Sequence, residues 1–502
     1  MKHFRLTRIL AAMLAAMTLL PALAACTGDG ASTDTTAAQG NAADTTAFPT
    51  ETTTPTHDAE GYLLDTLPAD LNFGGETVGI LYWEDVEHPE FEVESVTGDI
   101  VNDAIYKRNE TVQDRLGVKF EWYKSKGNSS NGKIYVQTVQ NSYNAGEKIH
   151  DIYAAYSRTM GLVAQNGYCY NLNDVDYLDF EMPWWPQRML ETALVGDKLF
   201  FVSGDISTNM LHMMYGIYYN KDMIVDYQMT DPTEYVLKGT WTIDKMIEMT
   251  TGLYQDLNGD GKADPEDRYG LTTLEYHNEA FHTGADLHLV VKDADKVLAL
   301  DPEYGGERAI NLISKVGSWM QTDDVLKGAS STYLKSFENG TCLFTVNRAR
   351  TAEKNLRDVT FTYGIVPVPK YDEQQENYVT VMGNPFTLYG IARDCETPDT
   401  AGAVIEAMGS AGHRMTTPAV FETNMKVKYS ENDVTAQMYD LVREGVDFEL
   451  GRIFGAAPNY TCTEYIQDAM WDNKPWASMS KTVIKVAGKR LENLVEQLTT
   501  VD

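Results

Sequence analysis

The chain has 502 residues and a formal net charge of −32, from 73 acidic against 41 basic side chains. That balance excludes nucleic acid, whose binding needs a basic face. It also argues mildly against a strongly anionic small ligand, unless local arginines override it. A chain this long outgrows one hydrophobic core, and two lobes are expected.

Lys2, Arg5 and Arg8 open the chain, a short apolar run follows from Ile9 to Leu20, and Leu23-Ala24-Ala25 lead into Cys26. The run is too short for a bilayer span, which takes about 20 residues, so residues 1–25 read as an export signal. Small residues directly before a cysteine make it a bacterial lipoprotein signal. Cys26 is then the lipid-bearing mature N-terminus on the outer face of the cell membrane. Residues 26–66 are rich in Thr, Ala and Asp and almost lack large apolar side chains. They cannot bury enough surface to offset ordering entropy, and are expected to form a disordered tether. Cys169, Cys342, Cys395 and Cys462 show no metal-ligand spacing. They could form up to two disulfides outside the cell, although a body this large does not need them and free thiols are the preferred reading.

Strand and helix alternate after the tether. Glu76 to Tyr82 reads as a strand with Trp83-Glu84-Asp85 just past its end. Asp99 to Leu116 is helical and stops at Gly117. Val118–Trp122 is a strand, Lys133–Ala145 a helix, and Asp151–Ala155 a third strand followed by Tyr156-Ser157-Arg158. This alternation predicts an α/β lobe with a largely parallel sheet. In such sheets ligands bind beyond the carboxyl ends of the strands, which singles out the residues around Trp83 and Tyr156. Trp184, Trp185 and Trp241 read as packing residues, and Asp205 and Trp471 as secondary candidates. Lys198–Val202 is a predicted strand. YYNKDM, from Tyr218, hands a strand over to a helix, and Thr242 caps another whose Ile243, Met246, Ile247 and Leu253 share a face. Further strands are expected at Gly270–Leu274, Leu343–Val346, Phe361–Val366 and near Ile391. A helical part begins at Thr400.

Between these elements lies DLNGDGKADPED, residues 256–267. Asp256, Asn258, Asp260 and Asp264 alternate with small or flexible residues, and Asp267 closes a twelve-residue frame. Hard oxygens at this spacing are the ligand set of a calcium loop. Gly261 permits the left-handed turn, and Lys262 offers its backbone carbonyl. A lone loop of this kind points to a structural clamp.

The pieces MPWWPQ, YYNKDM, GTWTIDKM, SFENGTCLF and YGIVPVPKYDEQQENY, in this order after Cys26, resemble the extracellular solute-binding lipoproteins that serve carbohydrate importers of the ATP-binding-cassette class. The resemblance implies a two-lobe, periplasmic-binding-protein-like α/β fold of type II with the ligand cleft between the lobes. It implies a first lobe of 67–179 plus 343–395 and a second of 180–342 plus 396–502, the latter carrying the calcium loop. Matching ligand-contacting turns would be Trp83 and Glu84; Tyr156, Ser157 and Arg158; and Asn347, Arg348 and Arg350. A pyranose offers an apolar face for aromatic stacking and hydroxyls for charged or amide partners. The expected protein is a monomer held to the membrane by lipid, binding a sugar and meeting permease subunits.

Enzyme signatures are thin. Ser478 and Lys481 match S-x-x-K without its partner motifs, and His277, His282 and His288 do not share a helix face. No catalytic residue is expected. The alternatives are a surface glycan-degrading or glycan-binding lipoprotein, and a binder of peptides or other small solutes on the same scaffold.

Overall fold

The computed structural model describes residues 56–293, 297–428, 433–454 and 462–500. The leader and Cys26 lie outside the described residues. Strand β1 spans Glu76–Trp83, and its last six residues are buried. The helix Ile100–Leu116 follows. Asp99 caps it by accepting the backbone N–H groups of Val101 and Asn102 at 3.1 and 2.9 Å. Gly117 ends it at φ +60°, where a side chain would be strained. β2 (Val118–Ser125) and β3 (Ile152–Tyr156) lie parallel to β1 on its two sides. The helices Ile100–Leu116 and Gly132–Ala145 make the crossovers that connect these parallel strands.

The chain then builds β4 (Tyr215–Asn220), β5 (Tyr269–Thr273), a hairpin of β6 (Val290–Lys292) and β7 (Leu298–Leu300), β8 (Val325–Lys327) and β9 (Cys342–Arg348). It continues with β10 (Tyr363–Val366), β11 (Thr380–Val381), β12 (Thr387–Ile391) and β13 (Val446–Asp447). Two main sheets result, of order β12-β3-β1-β2 and β10-β4-β9-β5-β8. β12 enters the first sheet antiparallel to β3. In the second, β4 is antiparallel to β9 and β10, while β5 is parallel to β8 and β9. This is a two-lobe α/β architecture with one sheet per lobe.

Local chemistry behaves as the sequence predicts around β4. Asn220 accepts the Met223 N–H at 3.1 Å and starts the helix Lys221–Asp226. Thr242 accepts the Lys245 N–H at 3.3 Å and starts Ile243–Thr250, which buries Ile243 and Met246.

Three expectations are corrected. Residues 56–66 of the tether are bonded to the body: the buried Asp65 carboxylate pairs with Arg115, and the Thr66 hydroxyl donates to Asp179 at 3.1 Å. Lys198–Val202 forms no strand. It lies extended and buried, touching the first sheet through one bridge, Val202 to Tyr389. The lobe segments also differ, because β9 and β10 are hydrogen-bonded into the second sheet and only β12 returns to the first. The chain therefore crosses back between Val366 and Thr387. The helix Pro398–Ala411 packs on Ile100–Leu116 in the first lobe, burying nearly its whole length.

Candidate ligand cleft

β3 ends at Tyr156, and the helix Ser157–Gln165 begins at once. In the other sheet β9 ends at Arg348, which faces Tyr215, the first residue of β4, across the antiparallel pair. Tyr156, Tyr215 and Arg348 line one cavity of about 440 Å³, so the ends of strands from both sheets meet there. Arg158, Arg350, Tyr276, Glu279, Asn384 and Arg452 share its wall.

The charges of the wall are mostly paired. Arg350 pairs with Glu87 and Arg452 with Glu279, and Arg158 stands 3.9 Å from Glu464. Gln467 donates to the second oxygen of Glu279 at 2.6 Å, and Arg452 Nε donates to Asn384 Oδ1 at 3.2 Å. Arg348 differs: its Nε donates to the Tyr215 hydroxyl at 3.3 Å, and its guanidinium carbon lies 5.6 Å from the Tyr215 ring centre and 6.0 Å from that of Tyr276. Burial pushes the Tyr156 phenol up, against the opposing pull of Arg158, Arg348 and Arg452. Burial, and then Arg348, hold His277 neutral by pulling its ring well below the usual range. Three tyrosines and a set of fixed donors and acceptors therefore surround a space fit for a small polar guest.

The structure brings Tyr156, Arg158, Arg348 and Arg350 of the expected residues together in this wall. The rest lie elsewhere. Trp83 is the last residue of β1 and fully enclosed, its indole N–H donating to Thr387 Oγ1 at 2.9 Å. It packs behind Tyr156, with ring centres 5.5 Å apart, and has no face to offer a guest. Glu84 is exposed outside the cavity, its backbone N–H bound to the Ser125 carbonyl. Ser157 is buried and donates its hydroxyl to the Asn384 carbonyl at 2.7 Å. Asn347 is buried too, donating to the Tyr333 hydroxyl at 2.7 Å. Ser157 and Asn347 hold the turns that carry their neighbours.

Sequence reasoning missed Tyr215, Tyr276, Glu279, Asn384, Arg452 and Gln467. Tyr215 and Asn384 had a usable signal, since each lies just ahead of an expected strand. Arg452 and Gln467 had none, because their helices reach the site only through packing. Trp184, Trp185 and Trp241 are buried, as packing residues should be. Asp205 is held by His413 at 2.6 Å and Arg443 at 3.1 Å beside a separate cavity of about 460 Å³. Trp471 stacks under Lys327, 5.2 Å from its ring centre. Cys169 and Cys342 are buried free thiols and Cys395 is a half-buried one.

The 256–267 loop folds as a chain of tight turns whose side chains accept from its own backbone. Asp256 accepts the N–H groups of Gly259 and Gly261 at 2.6 and 2.9 Å. Asn258, Asp260 and Asp264 each accept the N–H two residues on, at 2.9, 2.8 and 2.8 Å. Gly261 has φ +72°, as the tight turn requires. Asp267 is fully buried and accepts the Leu257 N–H at 3.0 Å, closing the loop on its start. A buried carboxylate beside four more acids in a twelve-residue stretch is a donor set that suits a hard divalent cation.

Residues 113–416, more than half of the chain, match the model of the bacterial extracellular solute-binding protein family. No curated protein matches the chain. Among solved structures, the cyclic alpha-maltosyl-1,6-maltose binding protein from Arthrobacter globiformis is similar at 13% identity and a TM-score of 0.56, covering 84% of this chain and 99% of that one. A sugar transporter from Rhizobium etli in an open conformation gives 14%, 0.52, 85% and 100%. A cyclo/maltodextrin-binding protein complexed with maltotetraose gives 12%, 0.54, 85% and 97%. These likenesses show a shared fold. The chain belongs to the bacterial extracellular solute-binding proteins.

Proposed function

We propose that the protein captures a sugar or short oligosaccharide outside the cell and hands it, unaltered, to the permease of an ATP-driven importer. The observation that carries this reading is the cavity itself. It joins strand ends from both sheets, and it sets Tyr156, Tyr215 and Tyr276 among arginine, carboxylate and amide groups. Aromatic rings suit the apolar face of a pyranose, and the polar groups suit its hydroxyls. The similar structures are named for maltooligosaccharides and other sugars, which supports the same ligand class here. A guest touching both lobes favours the closed arrangement, and the closed form is what a permease would recognise. Cys26 anchors the monomer through lipid, and the 256–267 loop binds calcium through Asp256, Asn258, Asp260, the Lys262 carbonyl, Asp264 and Asp267, stiffening the second lobe.

Calorimetry with a panel of oligosaccharides and peptides, beside an assay for new reducing ends, tests the reading. Sugar binding without turnover, with a scattering radius that falls on binding, is the expected result. Glycan turnover would instead make it a degrading enzyme, and tight peptide binding with no sugar response would make it a peptide receptor.

A further inference from the structure

Four arginines and three glutamates line the cavity. Each glutamate is taken: Glu87 by Arg350, Glu279 by Arg452 and Glu464 by Arg158. Among the described residues, Arg348 has no carboxylate partner. It is half-buried at the end of β9, with two tyrosine rings against its guanidinium and only its Nε hydrogen-bonded, to Tyr215. Its charge reaches across the cavity, opposing the rise of the Tyr156 phenol and disfavouring the charged forms of His277 and Lys354. The rings flank the guanidinium, and among the described residues nothing hydrogen-bonds its terminal nitrogens, the pair that forms a bidentate fork.

A cation held away from water without a counter-charge is costly unless a partner is supplied. The neighbouring arginines show how this wall meets that cost, with one carboxylate each. Resting on the reading of the cleft as a sugar site, we propose that the guest carries an oxyanion, a uronate carboxylate or a sulfate ester, that seats on Arg348. The chain's overall negative charge does not oppose this, because exposed charges beyond about 8 Å are screened while a half-buried arginine at the contact is not.

The test is calorimetry on the full chain in detergent. The ligands are oligosaccharides of galacturonate, glucuronate and mannuronate, each matched to its neutral methyl ester, with a sulfated neutral trisaccharide and free acetate and sulfate as further arms. At least one uronate should bind about 10–100-fold more tightly than its own ester, and added salt should narrow the gap. Tight binding of the sulfated sugar alone would also support the proposal and would assign the sulfate source. Arg348→Met should abolish the preference for acid, so that acid and ester then bind alike. The acid-to-ester ratio of the unmodified chain decides the question even where Arg348→Met fails to fold. Equal affinity for acid and ester with no tight binding of the sulfated sugar, or a preference that survives in Arg348→Met, would overturn the inference while the sugar reading stands. Binding of peptides with no sugar response would overturn both.

Discussion

The indole of Trp83 donates its N–H to the hydroxyl of Thr387 across the first sheet, from the last residue of β1 to the first of β12, at 2.9 Å. A tryptophan at a strand end looks from the sequence like a platform for a sugar. Here it is a tie between two strands, with no exposed surface.

Trp83 should therefore matter for stability more than for binding. Trp83→Ala is expected to cost about 3–5 kcal/mol through the cavity it leaves. Trp83→Phe is expected to cost about 1–2 kcal/mol, because Thr387 loses its donor. Urea unfolding monitored by circular dichroism measures both. Sugar affinity of Trp83→Phe should stay close to that of the parent, and a large loss of affinity would return Trp83 to the cleft.

Removing calcium should lower the melting temperature by several degrees. Metal at a hundredfold excess over its dissociation constant adds about 2.7 kcal/mol to the folded state. The loop lies in the second lobe, at β5, away from the cavity-lining residues, so sugar affinity should change much less. Asp267→Asn keeps an acceptor for the Leu257 N–H but loses the charge. Its melting temperature should no longer respond to chelator. Identical melting curves for the parent with and without chelator would rule out a calcium clamp.

Arg452 and Glu279 form an ion pair with both side chains almost enclosed, at 9% and 7% exposure. Deleting one partner strands the other, so Glu279→Ala should cost about 3–5 kcal/mol. Replacing both, as Arg452→Met with Glu279→Leu, should restore most of that stability while still weakening sugar binding. A double-mutant cycle read by thermal melting and calorimetry separates the two effects.

Glu406 is a buried carboxyl that accepts the Trp185 indole N–H at 3.0 Å and the Asp179 N–H at 3.2 Å. Burial pushes it up from 4.5 to about 8. Between those two pH values the folded chain holds a proton that the unfolded chain has released, so this group's contribution to stability is full below pH 4.5 and falls as pH rises toward 8. Glu406→Gln keeps the acceptor and removes the charge. It should flatten that slope and be more stable than the parent at pH 8 by roughly 2–4 kcal/mol. Parallel stability-versus-pH curves for the two chains would contradict this.

Short-range features were readable from residue order. The cap at Asp99, the stop at Gly117, the Asn220 and Thr242 helix starts and the turns of the 256–267 loop all depend on groups within a few positions of one another. The strand-end rule likewise located Tyr156 and Arg348, because alternation of apolar residues marks where a strand stops. Lys198–Val202 shows the limit. Its apolar run suits a buried strand, yet it finds only one backbone bridge to a sheet and serves as core filling.

Residue order alone determined the alternating layers and the places where the backbone turns, since these follow from propensity and spacing along the chain, and its motifs carried the resemblance to the family. Folding in three dimensions settled which side chains reach the guest. Trp83 was enclosed by Thr387 from 304 positions away, and Arg452 and Gln467 were carried into the wall by C-terminal helices. Among the described residues, it also settled which arginine of the cleft lacks a carboxylate partner. Neutralisation is decided by whichever carboxylates distant segments bring within a few ångströms, and no local pattern encodes that distance.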